Sequence, residues 1–299
     1  MVVMKNPLIK DVVRDIKKSL GRFLSITAII ALGVAFFSGV KIAPEDMKKT
    51  ADKYYDDYNL MDIRIVSTLG LTEDDLKEIE KVEGIEQSLG SYTIDVLAEL
   101  DEQEVVLRVH QLPEEDDINN IRLIEGRLPE KPWECVMEKG KIGEFTLSLG
   151  SIIRLESGKE EPLSDYLEYT EYEVVGLVQT PYYLSFQKGS TNIGTGQVRS
   201  FIMIPKENFK LDYYTDIYLT VRGAKELNSY DDEYFDIIDP VTAQLEELAK
   251  EREVIRYEEV IGKAEEELEK GKKEYLDKKE EVEKELADAL KEIEDGKKE

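Results

Sequence analysis

The residues able to do chemistry are few and poorly placed for it. His110 is the only histidine in the chain and Cys135 the only cysteine. A nucleophile–histidine–acid site would have to use His110, yet no G-x-S-x-G turn exists to offer it a serine. Cys135 lies in ECVM, an alternating context in which a lone thiol reads as a small core residue. One cysteine also excludes an intramolecular disulfide and a Cys-rich metal framework. Glu114–Asp117 is a run of acids, but successive acids in a loop are solvated, and no basic or histidine partner is placed to tune them. Lys141, Lys159, Lys263, Lys272 and Lys297 each follow a glycine, none within G-x-x-x-x-G-K-[ST], so the phosphate cradle for ATP is missing. The sequence predicts no catalytic, cofactor-binding or metal-binding residues, and it puts any ATPase on another polypeptide.

The element that dominates the chain is FLSITAIIALGVAFFSGV, Phe23–Val40, which carries no charge. As a helix it spans roughly 27 Å, close to the hydrocarbon thickness of a bilayer, with Arg22 and Lys41 able to snorkel at its ends. Lys5, Lys10, Arg14, Lys17, Lys18 and Arg22 precede it against Asp11 and Asp15 only, which predicts a cytoplasmic N-terminus. An uncleaved anchor is preferred to a signal peptide, because the run exceeds a typical h-region and no small-x-small site closes it. A buried core helix would need an apolar partner that the rest of the chain does not offer. Ahead of the run, Leu8, Ile9, Val12, Val13, Ile16 and Leu20 recur at three-and-four spacing with the basic residues elsewhere on the wheel. Residues 1–22 read as an amphipathic helix on the inner membrane face, or as a plain basic flank.

The formal net charge is −26, of which −25 falls between Lys41 and Val260. Such a surface disfavours nucleic acid and anionic lipid as partners. Asp46–Asn59 is polar and helix-prone, MDIRIVS alternates as a strand, and Thr72 opens a helix with Glu73, Asp74 and Asp75 in its first turn. Gly84 is expected to cap that helix. Ser91–Leu100 and Glu104–Val109, joined at Asp101–Gln103, read as a hairpin. From Gln111 to Phe209 prolines and glycines punctuate short strands such as ECVM, LGSIIRL, YEVVGLV and RSFIMI. Within this part Phe186–Arg199 reads as a flexible surface linker, with a substrate loop as the sharper alternative. DIYLTV is a further strand, and from Asp231 the chain is helical with Pro240 expected near its first turn. Beyond it Ile261, Ala264, Leu268, Gly271 and Tyr275, then Val282, Leu286, Ala289, Ile293 and Gly296, follow three-and-four steps. A coiled coil is the preferred reading over a solitary Glu/Lys helix, and its partner helix is expected beyond Glu299.

Several strings in this order resemble FtsX-like/MacB-type ABC transporter permeases: KKSLGRFLSITAIIALGVAFFSGV, LMDIRIVSTLGLTEDDL, IRLIEGRLPEKPWECVM, LSLGSIIRL and YEVVGLVQTPYYLS. The resemblance implies an α+β fold with one N-terminal transmembrane helix, a MacB-like periplasmic-core-type domain, a β-rich insertion and a coiled-coil helix. Its boundaries would be a cytoplasmic helix at 1–22, a span at 23–40, an extracytoplasmic domain at 41–260 and a truncated arm at 261–299. Within the domain a β-α-β unit would comprise Tyr54–His110 and Leu211–Val260, and the insertion about 111–210. The family's EGR-x-P…EC pattern maps onto Glu125, Gly126, Arg127, Pro129, Glu134 and Cys135, with structural roles: Gly126 a turn, Arg127 a partner for Glu134, Pro129 a rigid corner. The implied function is a permease subunit in a bacterial cell membrane that couples ATP hydrolysis by a cytoplasmic ABC ATPase to the outer domain. Arg14, Lys17 and Lys18 would be its ATPase-coupling face. Further partners would be the lipid bilayer, the remainder of the permease and an extracytoplasmic protein at the coiled coil. A bitopic envelope adaptor that acts through its coiled coil without an ATPase is the alternative.

Overall fold

The computed structural model describes residues 7–100, 103–140, 148–185 and 187–296. Lys5, the Asp101–Glu102 turn, Lys141, Leu147, Phe186, Lys297 and Glu299 therefore lie outside the described residues. The fold is α+β, with a long apolar helix near the N-terminus, a mixed β domain and a long C-terminal helix. α1 is Pro7–Lys18 and α2 is Leu20–Asp57. α2 carries the whole uncharged run and continues through Pro44 as one helix, roughly 57 Å long by its residue count. It is long and apolar enough to cross a membrane. None of its residues is buried by the described chain, and Ile29, Leu32 and Phe36 are 70–74% exposed. An apolar surface of that extent in water is strongly unfavourable, so an apolar medium must cover it.

β1 (Ile63–Leu71), α3 (Glu73–Ile79) and β2 (Ile85–Ser91) form a β-α-β unit. Then come β3 (Thr93–Leu100), β4 (Gln103–Gln111), β5 (Arg122–Gly126), β6 (Glu134–Glu138), β7 (Ile152–Glu156), β8 (Glu171–Gln179) and β9 (Val198–Ile204). β10 (Tyr214–Val221) and the 65-residue α4 (Asp232–Gly296) complete the chain. β10 lies between β1 and β2, antiparallel to both. α3 and α4 cover this small sheet through Ile79, Val241 and Leu245, which pack with Ile217 and Leu219. A reciprocal capping box starts α3: the Thr72 hydroxyl accepts the Asp75 amide, and the Asp75 carboxylate accepts the Thr72 amide at 2.7 Å.

The other seven strands run in the order β5-β8-β6-β9-β4-β3-β7, and β7 also pairs with β8. That pairing closes six of them into a barrel, with β5 attached outside at β8. Alternate side chains fill its interior: Val96 and Ala98, Leu107 and Val109, Cys135 and Met137, Ile153 and Leu155, Tyr172 and Val174, Ile202 and Ile204. The strand period of two thus decides which half of each apolar strand is core.

Four expectations change, and one strand, β2, was not foreseen. α3 ends at Ile79 with Glu80 as its cap, and Gly84, at φ +100°, turns the chain into β2 instead. β2 has the sequence IEQSLGS, too polar to announce a strand, and pairs because β10 offers it a complete ladder. The hairpin β3–β4, expected with the β-α-β unit, is barrel wall, so the β-rich part begins near residue 93 and not 111. Pro240 lies inside α4, eight residues beyond its first residue Asp232. The loop 187–197 is no linker: Ile193 is buried with Val106 and with Val198 of β9, Arg108 donates to the Lys188 and Ser190 carbonyls, and Lys188 pairs with Glu138 at 2.6 Å.

Candidate functional site

The end of α2 is fastened to the domain by a set of side chains that the sequence reading did not select. Asp52 accepts two bonds at one oxygen, from the Ser229 amide at 2.7 Å and the Ser229 hydroxyl at 2.8 Å. One turn later the Tyr55 and Tyr230 hydroxyls meet at 2.8 Å. Burial, together with that hydroxyl contact, pushes the Tyr55 phenol pKa upward. Both contacts hold α2 against the turn that leads from β10 into α4.

Beyond α2 the chain turns at Asn59, whose φ of +49° is a left-handed conformation asparagine tolerates. Asn59 Nδ2 donates to Gln87 of β2, while the Asn119 and Asn120 amides donate to the Asn59 and Tyr58 carbonyls at 2.8 and 2.9 Å. Asn119 Oδ1 in turn accepts the Met61 amide at 3.0 Å. Asp62 accepts the Val221 amide and the Tyr234 hydroxyl, both at 2.7 Å, and burial raises its pKa despite these two bonds. Within about a dozen residues α2 is thus tied to the small sheet, to the loop between β4 and β5, and to the start of α4. A cleft of about 470 Å³ opens beside this junction, bordered by Asp52, Asp56, Asp62 and Glu86 with Lys225. Among the described residues no group of three or more His, Cys, Asp or Glu could hold a metal ion.

A polar seam joins sheet and barrel. Arg64 of β1 pairs with Asp216 of β10 at 2.6 Å and lies over the Tyr182 ring. His110 is buried there, its Nδ1 3.0 Å from Thr93 Oγ1 and its Nε2 2.7 Å from Tyr183 Oη. Burial, with Arg108 and Arg64 nearby, lowers its pKa to about 3, so it stays a neutral hydrogen-bonding group. Burial raises the Cys135 pKa far above the ordinary thiol range, and the thiol faces the barrel interior.

The residues mapped by resemblance sit at the foot of β5 and β6. Arg127 makes a two-pronged bond to Glu134, 2.6 Å on each arm, and Glu134 also accepts the Glu130 and Lys131 amides. The Arg127 guanidinium and the Glu130 amide hold the Glu134 carboxyl down at about 2. Gly126 has φ +80°, and a Cβ there would lie 2.2 Å from the Val175 carbonyl oxygen, so the close approach of β5 to β8 requires glycine. Pro129 lies between Arg127 and the turn into β6. Arg14, Lys17 and Lys18 lie on exposed α1, far along the chain from every site above, with Arg14 paired to Asp11. The junction left only weak traces in the sequence: Asn228 and Ser229 ahead of an acidic helix start, and the tyrosines of DKYYDDYN.

No family model matches this sequence, and no curated protein matches it. Among solved structures, the extracellular domain of the noncanonical ABC-type transporter YknZ from Gram-positive bacteria aligns with a TM-score of 0.33 and 17% identity, over 55% of this chain and 79% of that one. The periplasmic region of MacB from Actinobacillus actinomycetemcomitans aligns with a TM-score of 0.34 and 13% identity, over 62% and 75%.

Proposed function

We propose that this chain belongs to the permease part of an ABC transporter and passes motion from a cytoplasmic ATPase to an extracytoplasmic domain. In this reading α2 crosses the membrane once, with α1 on the cytoplasmic side and β1 onward outside. The observation that carries it is the continuity of α2 from its uncharged run to the Asp52 and Tyr55 contacts. A rigid helix that shifts or tilts at its base would move the small sheet and α4 with it, because three segments of the domain are bonded to its end. The basic flank supports the orientation, and the resemblance of the quoted strings to FtsX-like/MacB-type permeases supports the class. Arg14, Lys17 and Lys18 offer the ATPase a basic face, and the Arg127–Glu134 pair is a fixed corner of the barrel rather than a substrate site.

The test is purification of the native protein from membranes in mild detergent. A separate ATPase should copurify, and reversing the charges of Arg14, Lys17 and Lys18 should weaken that association about tenfold or more while Lys5, Lys10 and Arg22 keep the insertion intact. If the protein performs its cellular role with every candidate ATPase inactivated, the reading fails, and an adaptor acting through α4 replaces it.

A further inference from the structure

The seam between sheet and barrel encloses a small polar cavity. Ser91 at the end of β2 and Tyr218 of β10 border it from the small sheet, His110 and Gln111 at the end of β4 from the barrel, and Thr180 and Tyr182 from the segment after β8. Its volume is about 20 Å³. A water molecule needs roughly 10–15 Å³ of such space, so one fits and a second has no room.

Two of the bordering side chains carry polar atoms that the protein leaves without a partner. Gln111 is only 7% exposed, and its buried Oε1 receives no hydrogen bond. The buried Tyr182 hydroxyl is likewise unpaired; the Tyr218 phenol lies near it, but no hydrogen bond joins them. Other groups around the cavity are already engaged. His110 uses both ring nitrogens, with Thr93 Oγ1 and Tyr183 Oη, and the Thr180 hydroxyl accepts the Tyr182 amide at 3.3 Å. Asn119 is bonded to Met61 through both Oδ1 and Nδ2. A buried acceptor without a donor is costly, and native proteins satisfy such groups with ordered water where a polar cavity admits it.

The surroundings select a neutral occupant. Arg64 and Arg108 are near enough to disfavour charge on His110, and the same repulsion disfavours a metal or ammonium cation. An anion would face the Gln111 carbonyl oxygen, and an apolar occupant would leave that oxygen unpaired. We infer that the cavity binds one water molecule, which donates to Gln111 Oε1 and accepts from the Tyr182 hydroxyl. Its second hydrogen has the Ser91 hydroxyl of β2 as acceptor, so the water joins barrel and small sheet across the seam. The inference needs neither a membrane nor an ATPase, and it stands or falls separately from the permease reading.

A crystal structure of the 299-residue chain, at a resolution that shows ordered solvent, tests it, together with oxygen-17 relaxation dispersion to count long-lived internal waters in solution. One density peak should lie about 2.7–3.2 Å from both Gln111 Oε1 and Tyr182 Oη. Gln111→Met, similar in length but without the oxygen, should lose that peak and lower the count of long-lived waters by one. If that variant does not fold, the wild-type density decides alone. An empty cavity overturns the inference, as does a Gln111 Oε1 bonded to a protein donor. A peak with several oxygen neighbours nearer than about 2.5 Å, lost when sodium is replaced by a bulky cation, overturns it in favour of a metal ion. A water that stays in place in Gln111→Met overturns the role of the Gln111 oxygen in holding it.

Discussion

Removing the carboxylate of Asp52 should loosen the end of α2 without unfolding the domain. Asp52→Ala deletes both bonds to Ser229. A hydrogen bond to an ionised group contributes about 1.5–3 kcal/mol net, and at this half-buried junction the lower end applies, since water can replace part of the loss. Two such bonds at about 1.5 kcal/mol each set an upper figure of about 3 kcal/mol, and sharing one carboxylate oxygen brings the loss to about 2–3 kcal/mol. At about 1.4 kcal/mol per factor of ten, the local opening equilibrium rises about 30- to 140-fold. The Tyr55–Tyr230 contact and the Asn59–Asn119 turn remain, so the helix end frays and does not detach. The assay is native-state amide exchange by mass spectrometry, read at residues 50–58 and 227–231, with β4 and β9 as references. Asp52→Asn keeps an acceptor oxygen in place but not its charge, and should raise exchange about tenfold or less. Unchanged exchange at residues 50–58 in Asp52→Ala would refute the view that this contact fastens the helix. An equal rise in β4 and β9 would refute its locality.

Two further outcomes follow from the same structure. The ionised Glu134 carboxylate, held by Arg127 and the Glu130 amide, contributes stability that is complete above the ordinary carboxylate pKa and is withdrawn as pH falls toward about 2. Thermal melts of Glu134→Gln should therefore show a lower midpoint at neutral pH and should lack the part of the wild-type decline that falls between about pH 4.5 and pH 2; parallel curves would contradict this assignment. Glu115 is exposed in the loop after β4, whereas Cys135 is buried and silent, so Glu115→Cys should react with a membrane-impermeant thiol reagent on intact cells. Labelling only after lysis would reverse the proposed orientation.

Local rules made much of this protein legible in its sequence. The uncharged run and its polar continuation needed only composition and periodicity to read as helix. Thr72 with Asp75 wrote the start of α3, and the alternation in ECVM and the short apolar runs in YEVVGLV and RSFIMI, set between prolines and glycines, marked strands. The absence of a phosphate loop was equally plain. What periodicity cannot supply is which strand pairs with which. β2 is a strand because β10 lies beside it, the hairpin β3–β4 is barrel wall because β9 and β7 flank it, and loop 187–197 is held because Arg108 and Glu138 reach it from distant strands. The junction was hidden for the same reason: Asp52 and Ser229, or Asn59 and Asn119, become partners only when chain segments dozens to hundreds of residues apart are brought together. The sequence by itself determined the helices and the apolar face of most strands, since these depend on neighbours a few residues away. Only the tertiary structure decided strand order, barrel closure and the clasp on α2, because those depend on long-range pairing, whose partners no local pattern names.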